Sequence, residues 1–314
     1  MQRLATGVGG RRIADVLERA RIAEELGYDS VWSNSITYER DAFVLLTAVA
    51  GATTRVGLGT FVIPIYARHP TALVQEAATL DEVSGGRFRL GIGVSHKSVV
   101  EGMWGLSLDH PAEAMREYFT IVRSGLDEGK VELQGRHFTA RWTYRHPRPE
   151  RPLPILISAL APRMLELAGE VADGVALWMC SPQYIAETVI PLVREARRRA
   201  GKDLVGFEVV AGVDASLTTN VEAAREVARP RFQTYSNLPF YRRVVAAGGF
   251  KDDLERGQIS DAMIHELAGI GDERAIRDTI RRYRDAGVTL PLIGAFAGHE
   301  GAAGFEATLA AAAS

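Results

Sequence analysis

The sequence predicts a parallel α/β fold, and within that class a (β/α)8 barrel, also called a TIM barrel. Seven strand-like segments are visible, each separated from the next by a helix-like segment, and this alternation is typical of right-handed parallel β-α-β units. The strands are nearly continuous apolar runs, as expected where helices cover both faces of a sheet. The length of 314 residues suits one large barrel or two smaller domains, and we expect a single domain over residues 1–314.

The predicted strands cover residues 28–32, 56–63, 88–94, 154–160, 174–179, 206–215 and 290–296. A closed barrel needs an eighth strand, and the segment "MQRLATGV" at the N-terminus is the only candidate for it. This segment is short and weakly apolar. We therefore expect either an abbreviated first strand or an assigned start that is a few residues late.

The helices are predicted from apolar residues that recur with helical spacing. The first runs from Ile13 to Leu26 and ends at Gly27, and another runs from Leu73 to Val83 and ends at Gly85. The remaining predicted helices cover residues 39–53, 112–127, 162–172 and 182–200.

Two segments interrupt this alternation. Residues 130–153, after the fourth helix, contain a hairpin-like stretch followed by three prolines, and residues 230–270, between the seventh and eighth strands, have a helical pattern. Long insertions of this kind commonly shape a substrate mouth or an interface.

Composition argues against several classes of protein. The net charge is −2 and no basic stripe is interleaved with aromatic residues, so we expect no nucleic-acid partner. No apolar run approaches the ~20 residues that span a bilayer, and the N-terminus lacks the apolar core of a signal peptide, so we expect no membrane association. Cys180 is the only cysteine, which fits a reducing cytoplasm.

Sequence motifs also argue against several kinds of site. There is no HExxH and no Cys/His cluster with metal-ligand spacing, so we predict no metal site. A GxSxG elbow and a phosphate-binding GxxxxGK[ST] loop are both missing. The segment "TGVGGRR" resembles only half of a dinucleotide fingerprint.

The barrel rule places candidate functional residues where the strands end, because active sites of this fold lie at the carboxyl face. In "LGIGVSHK", Gly93 lies near the end of a strand, and Ser95 and His96 follow it directly. A strand glycine can admit a flat ligand against the backbone, although such glycines more often serve packing.

Three segments in order, "VIPIYARHP", "LDEVSGGRFRLGIGVSH" and "LISALAPRMLELAGEVADGVALWM", together resemble the luciferase-like monooxygenase superfamily. They look most like its bacterial deazaflavin (coenzyme F420)-dependent oxidoreductases, which are related to methylenetetrahydromethanopterin reductase. The resemblance extends from about Ile13 to Phe296. It implies a TIM barrel with insertions, usually a homodimer, that holds a deazaflavin or FMN across the carboxyl ends of the strands.

The resemblance also implies roles for individual residues. Phe61 and Val62 match a backbone bulge behind the flavin ring, which in deazaflavin members contains a non-prolyl cis peptide bond, and the turn before Arg163 matches the cofactor phosphate site. The full set of implied cofactor-binding residues is Phe61, Val62, Ile63, Gly93, Ser95, His96, Ala159, Leu160, Ala161, Pro162, Arg163, Met179 and Ser181. The expected substrate pocket comprises Asn34, Ser35, Trp104 and Trp178, although the two tryptophans could equally fill space. Because Ser33–Ser35 replace the Asp-His of sugar-phosphate-oxidising relatives, glucose-6-phosphate chemistry does not carry over.

We expect an oxidoreductase that transfers a hydride between coenzyme F420 and a C=C or C=N bond of a small molecule. An FMN-dependent monooxygenase is the first alternative, and a non-catalytic flavin-binding protein is the second. His96 is the candidate catalytic residue, as a proton donor; it could instead hydrogen-bond the ring or hold its loop to Glu101. Arg68 and His69 could be functional or structural, and Cys180 is more simply a packing residue.

We expect a homodimer of this protein. Four apolar residues with helical spacing offer one possible contact face, and covering the barrel is the simpler role for them. They are Met115, Tyr118, Phe119 and Val122.

Overall fold

Eight parallel strands close into a barrel in the computed structural model, which describes residues 3–314. The first strand pairs with both the second and the last, and the seventh barrel strand pairs with both the sixth and the eighth. This closure confirms the predicted TIM barrel with helices between its strands.

Residues 3–314 contain twelve strands. They are β1 (Ala5–Gly7), β2 (Ser30–Ser33), β3 (Gly57–Thr60), β4 (Ile63–Pro64), β5 (Phe88–Gly93), β6 (Lys130–Gln134), β7 (Thr139–Thr143), β8 (Ile155–Ser158), β9 (Gly174–Leu177), β10 (Glu208–Leu217), β11 (Ala268–Gly271) and β12 (Leu290–Ala295). The barrel order is β1, β2, β3, β5, β8, β9, β10 and β12.

Fourteen α-helices lie between and beyond these strands in the described residues. They are α1 (Ile13–Glu25), α2 (Ala42–Ala52), α3 (Pro70–Ser84), α4 (Lys97–Val100), α5 (Pro111–Asp127), α6 (Pro162–Val171), α7 (Pro182–Tyr184), α8 (Ile190–Arg199), α9 (Val221–Ser236), α10 (Pro239–Val245), α11 (Lys251–Arg256), α12 (Asp261–Leu267), α13 (Glu273–Asp285) and α14 (Phe305–Ala313). Two π-helical turns, Ile185–Val189 and Ala246–Phe250, join α7 to α8 and α10 to α11.

The first strand is abbreviated to three residues, in line with one of the two expectations for it. Ala5 pairs with Leu292 on one side and with Ser30 on the other, so three residues suffice to close the barrel. The predicted segment also included residues 1 and 2, which lie outside the described residues.

The helices end where local chemistry stops them. The Asp41 carboxylate caps α2 by accepting hydrogen bonds from the N–H groups of Phe43 and Val44. Helix α3 ends at Gly85, whose φ of 67° is the left-handed conformation that favours glycine. These signals explain why the predicted helix bounds agree with the structure to within a few residues.

Side chains that face the barrel lumen form layers along its axis. At the amino end, Arg3 bonds Asp29 and Glu208 at 2.6 and 2.5 Å, and Arg89 bonds Asp29 at 2.8 Å. An apolar layer follows and comprises Ala5, Trp32, Leu156, Val210, Leu290 and Leu292. Because these layers fill the lower lumen, a ligand can enter only from the carboxyl end.

The first insertion folds as the predicted hairpin. Strands β6 and β7 pair in antiparallel register and pack on Ile121 of α5. The carboxylate of Glu117 on α5 accepts hydrogen bonds from the N–H groups of Arg136, His137 and Phe138 at 2.8 Å each. The hairpin is thus fastened to the outside of the barrel.

The second insertion begins earlier than predicted and is not wholly helical. Helix α9 starts at Val221, and residues 268–271 form β11, which pairs with the end of β10. The insertion has its own apolar core, which contains Phe232, Tyr241 and Met263. Its core joins the barrel mouth through Met179.

Candidate active site

The carboxyl ends of the barrel strands form a mouth whose rim side chains are half-buried. Phe61, Val62, Ser158, Trp178 and Phe296 share this intermediate exposure, whereas the lumen below them is filled. Phe61 rests edge-on against Trp32 of the apolar layer, with ring centroids 6.3 Å apart. The rim is therefore where a ligand can contact the barrel.

A break in the third barrel strand forms one wall of the mouth. Strand β3 stops at Thr60, β4 resumes at Ile63, and the peptide bond between Phe61 and Val62 is cis, as the resemblance implied. The Thr60 hydroxyl takes the place of the missing ladder bonds, because it accepts from Gly91 N–H at 2.8 Å and donates to Gly91 C=O at 3.0 Å.

This bulge explains the two glycines of β5. A Cβ on Gly91 would overlap the Thr60 carbonyl oxygen, and a Cβ on Gly93 would lie 2.6 Å from Val62 Cγ2. Gly93 therefore admits the Val62 side chain rather than leaving bare backbone for a ligand, so packing accounts for both glycines. Ile63 is fully buried in the core, and its side chain is not on the rim.

Ser95 and His96 leave β5 at the mouth, where the sequence placed them. Ser95 has a φ of 62°, uncommon for a residue with a side chain, and His96 then begins the short helix α4. The His96 ring lies 5.8 Å from the Tyr241 ring and 6.5 Å from the Tyr235 ring. Burial lowers the pKa of His96 below its usual 6.5, so its imidazole is neutral at pH 7.

The proposed structural link from His96 to Glu101 is wrong. The Glu101 carboxylate pairs instead with Lys97, one turn away, at 3.4 Å. The His96 side chain does not cap its own helix. Within the described residues, its ring nitrogens are therefore free to contact a ligand.

The turn that is expected to bind the cofactor phosphate lies between β8 and α6. Ala161 precedes the first turn of α6 without a capping side chain, and Pro162 occupies the first helical position. The N–H groups of such a turn attract an anion. The Tyr184 hydroxyl holds the turn in place by donating to the Leu160 carbonyl at 2.6 Å. Ala159, just before the turn, is buried in the core.

Arg163 is exposed on the first turn of α6, beside a surface groove. The neighbouring carboxylates are engaged elsewhere, because Glu170 pairs with Arg116 at 2.6 Å and Glu166 faces Arg199 at 3.9 Å. The Arg163 guanidinium is therefore available to an anionic group near the helix N-terminus.

The side chains that follow β9 point in two directions, toward the mouth and toward the second insertion. Trp178 lies on the rim, whereas Met179, with a φ of 58°, points into the core of the insertion. The Ser181 hydroxyl is buried and accepts from Tyr184 N–H as a helix cap. A cofactor contact from Met179 or Ser181 would have to come from the backbone.

Cys180 is a packing residue, as its sequence context suggested. It is 2% exposed, and burial raises the pKa of its thiol well above the usual range. Arg68 and His69 are also structural. Arg68 pairs with Asp41 at 2.9 Å, and the His69 ring caps α3 through Thr71 N–H.

The structure says less about the other three residues of the expected substrate pocket. Asn34 is exposed and Ser35 half-buried in the loop after β2, so both lie near the mouth. Trp104 is half-buried in the turn after α4. Nothing in the described residues ties its side chain to the rim.

A contact chain runs across the mouth and includes the predicted residues Trp178 and His96, but its links through Arg231 and Tyr235 were not predicted. Asp214 on β10 lies 3.0 Å from Arg231 of α9, whose guanidinium stacks on the Trp178 ring at 4.7 Å. Trp178 in turn packs edge-on against Tyr235, 5.7 Å away, which contacts His96. One sequence signal was present, namely an aspartate inside the apolar strand "VVAGVDASL".

Two further kinds of feature have no counterpart in residues 3–314. No group of three or more His, Cys, Asp or Glu side chains there is arranged to hold a metal ion. Likewise, no helix in that range is long and apolar enough to span a bilayer.

Comparison with known proteins agrees with this architecture. A Mycobacterium tuberculosis protein named as a coenzyme F420-dependent oxidoreductase is 29% identical over 316 residues, covering 88% of this chain and 89% of its own. The structure of coenzyme F420-dependent tetrahydromethanopterin reductase from Methanopyrus kandleri superimposes with a TM-score of 0.84 and 23% identity, over 99% of this chain and 97% of that one.

A second solved structure has the same fold. It is an F420-dependent secondary alcohol dehydrogenase in complex with an F420–acetone adduct, with a TM-score of 0.80, 21% identity and 94% coverage of both chains. The family model described as luciferase-like monooxygenase matches residues 1–290, which is most of the sequence. The chain therefore belongs to the luciferase-like monooxygenase family.

Proposed function

We propose that this protein is a coenzyme F420-dependent oxidoreductase that transfers a hydride between the deazaflavin and a C=C or C=N bond of a small organic molecule. The observation that carries the proposal is the barrel mouth, where the bulge at Phe61–Val62, the uncapped N-terminus of α6 and His96 face one entrance. Relatives of the same fold that are named for F420 support the choice of cofactor.

Different residues of this chain would bind the cofactor and take part in the reaction. When bound, a 5-deazaflavin supplies hydride chemistry like that of a nicotinamide. The N–H groups at the start of α6, with Arg163 beside them, would hold its phosphate. The Phe61–Val62 bulge would support the ring, and Trp178 and Tyr235 would exclude water from the mouth. His96 would exchange a proton with the reacting molecule.

An FMN-dependent monooxygenase is the second candidate, because the family as a whole is described as luciferase-like monooxygenase. A phosphate site at a helix N-terminus serves FMN and F420 equally well. A non-catalytic flavin-binding protein is the third.

Anaerobic turnover separates these candidates. With oxygen removed, we expect the protein to oxidise reduced F420 when it is given an activated C=C compound such as maleimide or a cyclic imine. Oxygen-dependent turnover with reduced FMN alone would favour the monooxygenase. Binding without turnover under either condition would favour the non-catalytic protein.

We also propose a homodimer, although not through the face considered first. Met115, Tyr118, Phe119 and Val122 are at most 4% exposed, so they cover the barrel and cannot contact a second copy. Helix α2 is a better candidate, because its sequence "AFVLLTAVAGA" has no charge and Val44 is 72% exposed on it.

The α2 face gives a testable prediction. Val44→Glu is expected to convert the dimer to a monomer in light scattering at micromolar concentration, because it would bury a charge in an apolar interface. Val205→Glu is the control, since Val205 is 83% exposed in a loop away from α2. A wild-type protein with the mass of one chain would disprove the dimer, and a dimeric Val44→Glu variant would disprove this interface.

A further inference from the structure

Asp214 faces the barrel lumen at the level of the mouth. Val210 on the same strand belongs to the apolar lumen layer. Because side chains alternate along a strand, Gly212, Asp214 and Ser216 point to the same side as Val210. Asp214 is only 1% exposed, and it lies one inward-facing position beyond Gly212, beside which the Trp178 ring of the rim packs.

Three buried polar atoms at the ends of β9 and β10 have no hydrogen-bond partner among residues 3–314. They are Asp214 Oδ1, Ser216 Oγ and Trp178 Nε1. Oδ1 lies against Gly294, where a Cβ would be only 2.4 Å from that oxygen, so the position of Asp214 requires glycine there. Arg231 reaches only the other oxygen, Oδ2, at 3.0 Å.

Burying a carboxylate with only one of its two oxygens paired costs free energy, and that cost needs a reason. Burial raises the pKa of Asp214 to about 6, although Arg231 opposes the shift. Native proteins satisfy most buried polar atoms, and those left unsatisfied tend to mark functional positions. Three such atoms lie on β10 and directly after the adjacent β9, where the strands end at the mouth.

We propose that Asp214 Oδ1 and Ser216 Oγ accept hydrogen bonds from an N–H or O–H group of the molecule bound in the mouth, and that Trp178 Nε1 donates one to it. The inference deepens the proposed function and rests on it for the identity of that molecule. The donor group can belong to the pyrimidine ring of the cofactor or to the hydride acceptor.

The competing explanation is structural, because the pair of Asp214 and Arg231 also joins the second insertion to the barrel. Asp253 provides the comparison within this chain. It is similarly buried at 5%, but its carboxylate is satisfied by Arg256 at 2.9 Å and by the Ser260 hydroxyl and N–H. Asp253 thus shows what a structural aspartate of this insertion looks like.

The test replaces each aspartate in the whole protein with leucine, which is similar in size but apolar. Without ligand, Asp214→Leu is expected to keep the wild-type melting temperature or raise it by about 2–4 °C, because it removes a buried charge that is only half paired. Asp253→Leu is expected to lower it, because it breaks satisfied hydrogen bonds.

Two binding measurements then identify the donor group. If it belongs to the cofactor, Asp214→Leu weakens F420 binding by roughly 10–100-fold in a fluorescence titration. If it belongs to the acceptor, F420 binding is unchanged and the KM for maleimide rises by a similar factor, whereas the KM for N-methylmaleimide, which lacks the N–H, does not. Ser216→Ala should shift the same constant in the same direction by less.

Unchanged F420 affinity together with unchanged KM values for both maleimides would overturn the inference. A melting temperature that falls as far as in Asp253→Leu would also overturn it, and so would an Asp214→Leu variant that fails to fold. If the wild type binds no F420, the proposed function fails, and the melting temperatures alone then decide the role of Asp214.

Discussion

Replacing His96 with alanine is expected to lower turnover by about 10²–10⁴ while F420 affinity stays within about twofold of wild type. Hydride addition to C=C or C=N leaves an anionic atom that needs a proton. His96 lies at the mouth with its ring nitrogens uncommitted in the described residues. If the imidazole delivers that proton, the substitution therefore lowers the turnover rate without weakening F420 binding.

The pH dependence follows from the lowered pKa of His96. Since burial favours its neutral form, the unfolded chain takes up the proton first as the pH falls through about 6.5. The protein should therefore lose stability below that pH, and His96→Gln should lose less. Turnover in the reducing direction should rise as the pH falls, because more His96 is protonated, and His96→Gln should lack this rise.

Two control variants make the result interpretable. His96→Gln keeps a hydrogen-bonding side chain but cannot supply the proton, and His265→Ala removes an exposed imidazole on α12. Weaker F420 binding in His96→Ala with a proportionate rate loss, rescued by glutamine, would assign His96 to a hydrogen bond with the cofactor. Unchanged rate and affinity would remove it from the site.

The barrel could be predicted because its strands carry long apolar runs separated by capped helices. Two strand predictions differ from the structure, and each difference has a physical cause. Strand β11 was missed because Ala268–Gly271 continues directly from α12, and its pairing with β10 supplies the strand signal that the local sequence lacks. The stretch 56–63 was read as one strand, yet it breaks after Thr60, whose hydroxyl replaces two ladder bonds.

Candidate site residues at the ends of barrel strands could be predicted from the sequence. Those that the second insertion contributes could not. Ser95, His96 and the turn before Arg163 lie at strand ends, where the barrel rule and the family motifs placed them. Tyr235 and Arg231 come from α9, and only the folded insertion brings them to the mouth. For Gly93 the sequence left ligand contact and packing open, because it does not reveal that Val62 occupies the space beside this glycine.

Cofactor selectivity is the second large effect that we expect. The N-terminus of α6 and Arg163 can attract the phosphate of either cofactor, so this anion site does not by itself select F420. Selectivity must arise at the ring, from the Phe61–Val62 bulge and the groups around His96 and Trp178. We expect F420 to bind at micromolar or lower concentration and FMN at least about tenfold more weakly, which corresponds to about 1.4 kcal/mol.

Parallel fluorescence titrations of F420 and FMN into the apoprotein test the central claim most directly. Arg163→Ala serves as the internal control, because it should weaken both cofactors by a similar factor if their phosphates share the α6 site. The account predicts saturable F420 binding with a clear preference over FMN. Tight FMN binding without detectable F420 binding would contradict it in favour of an FMN-dependent protein.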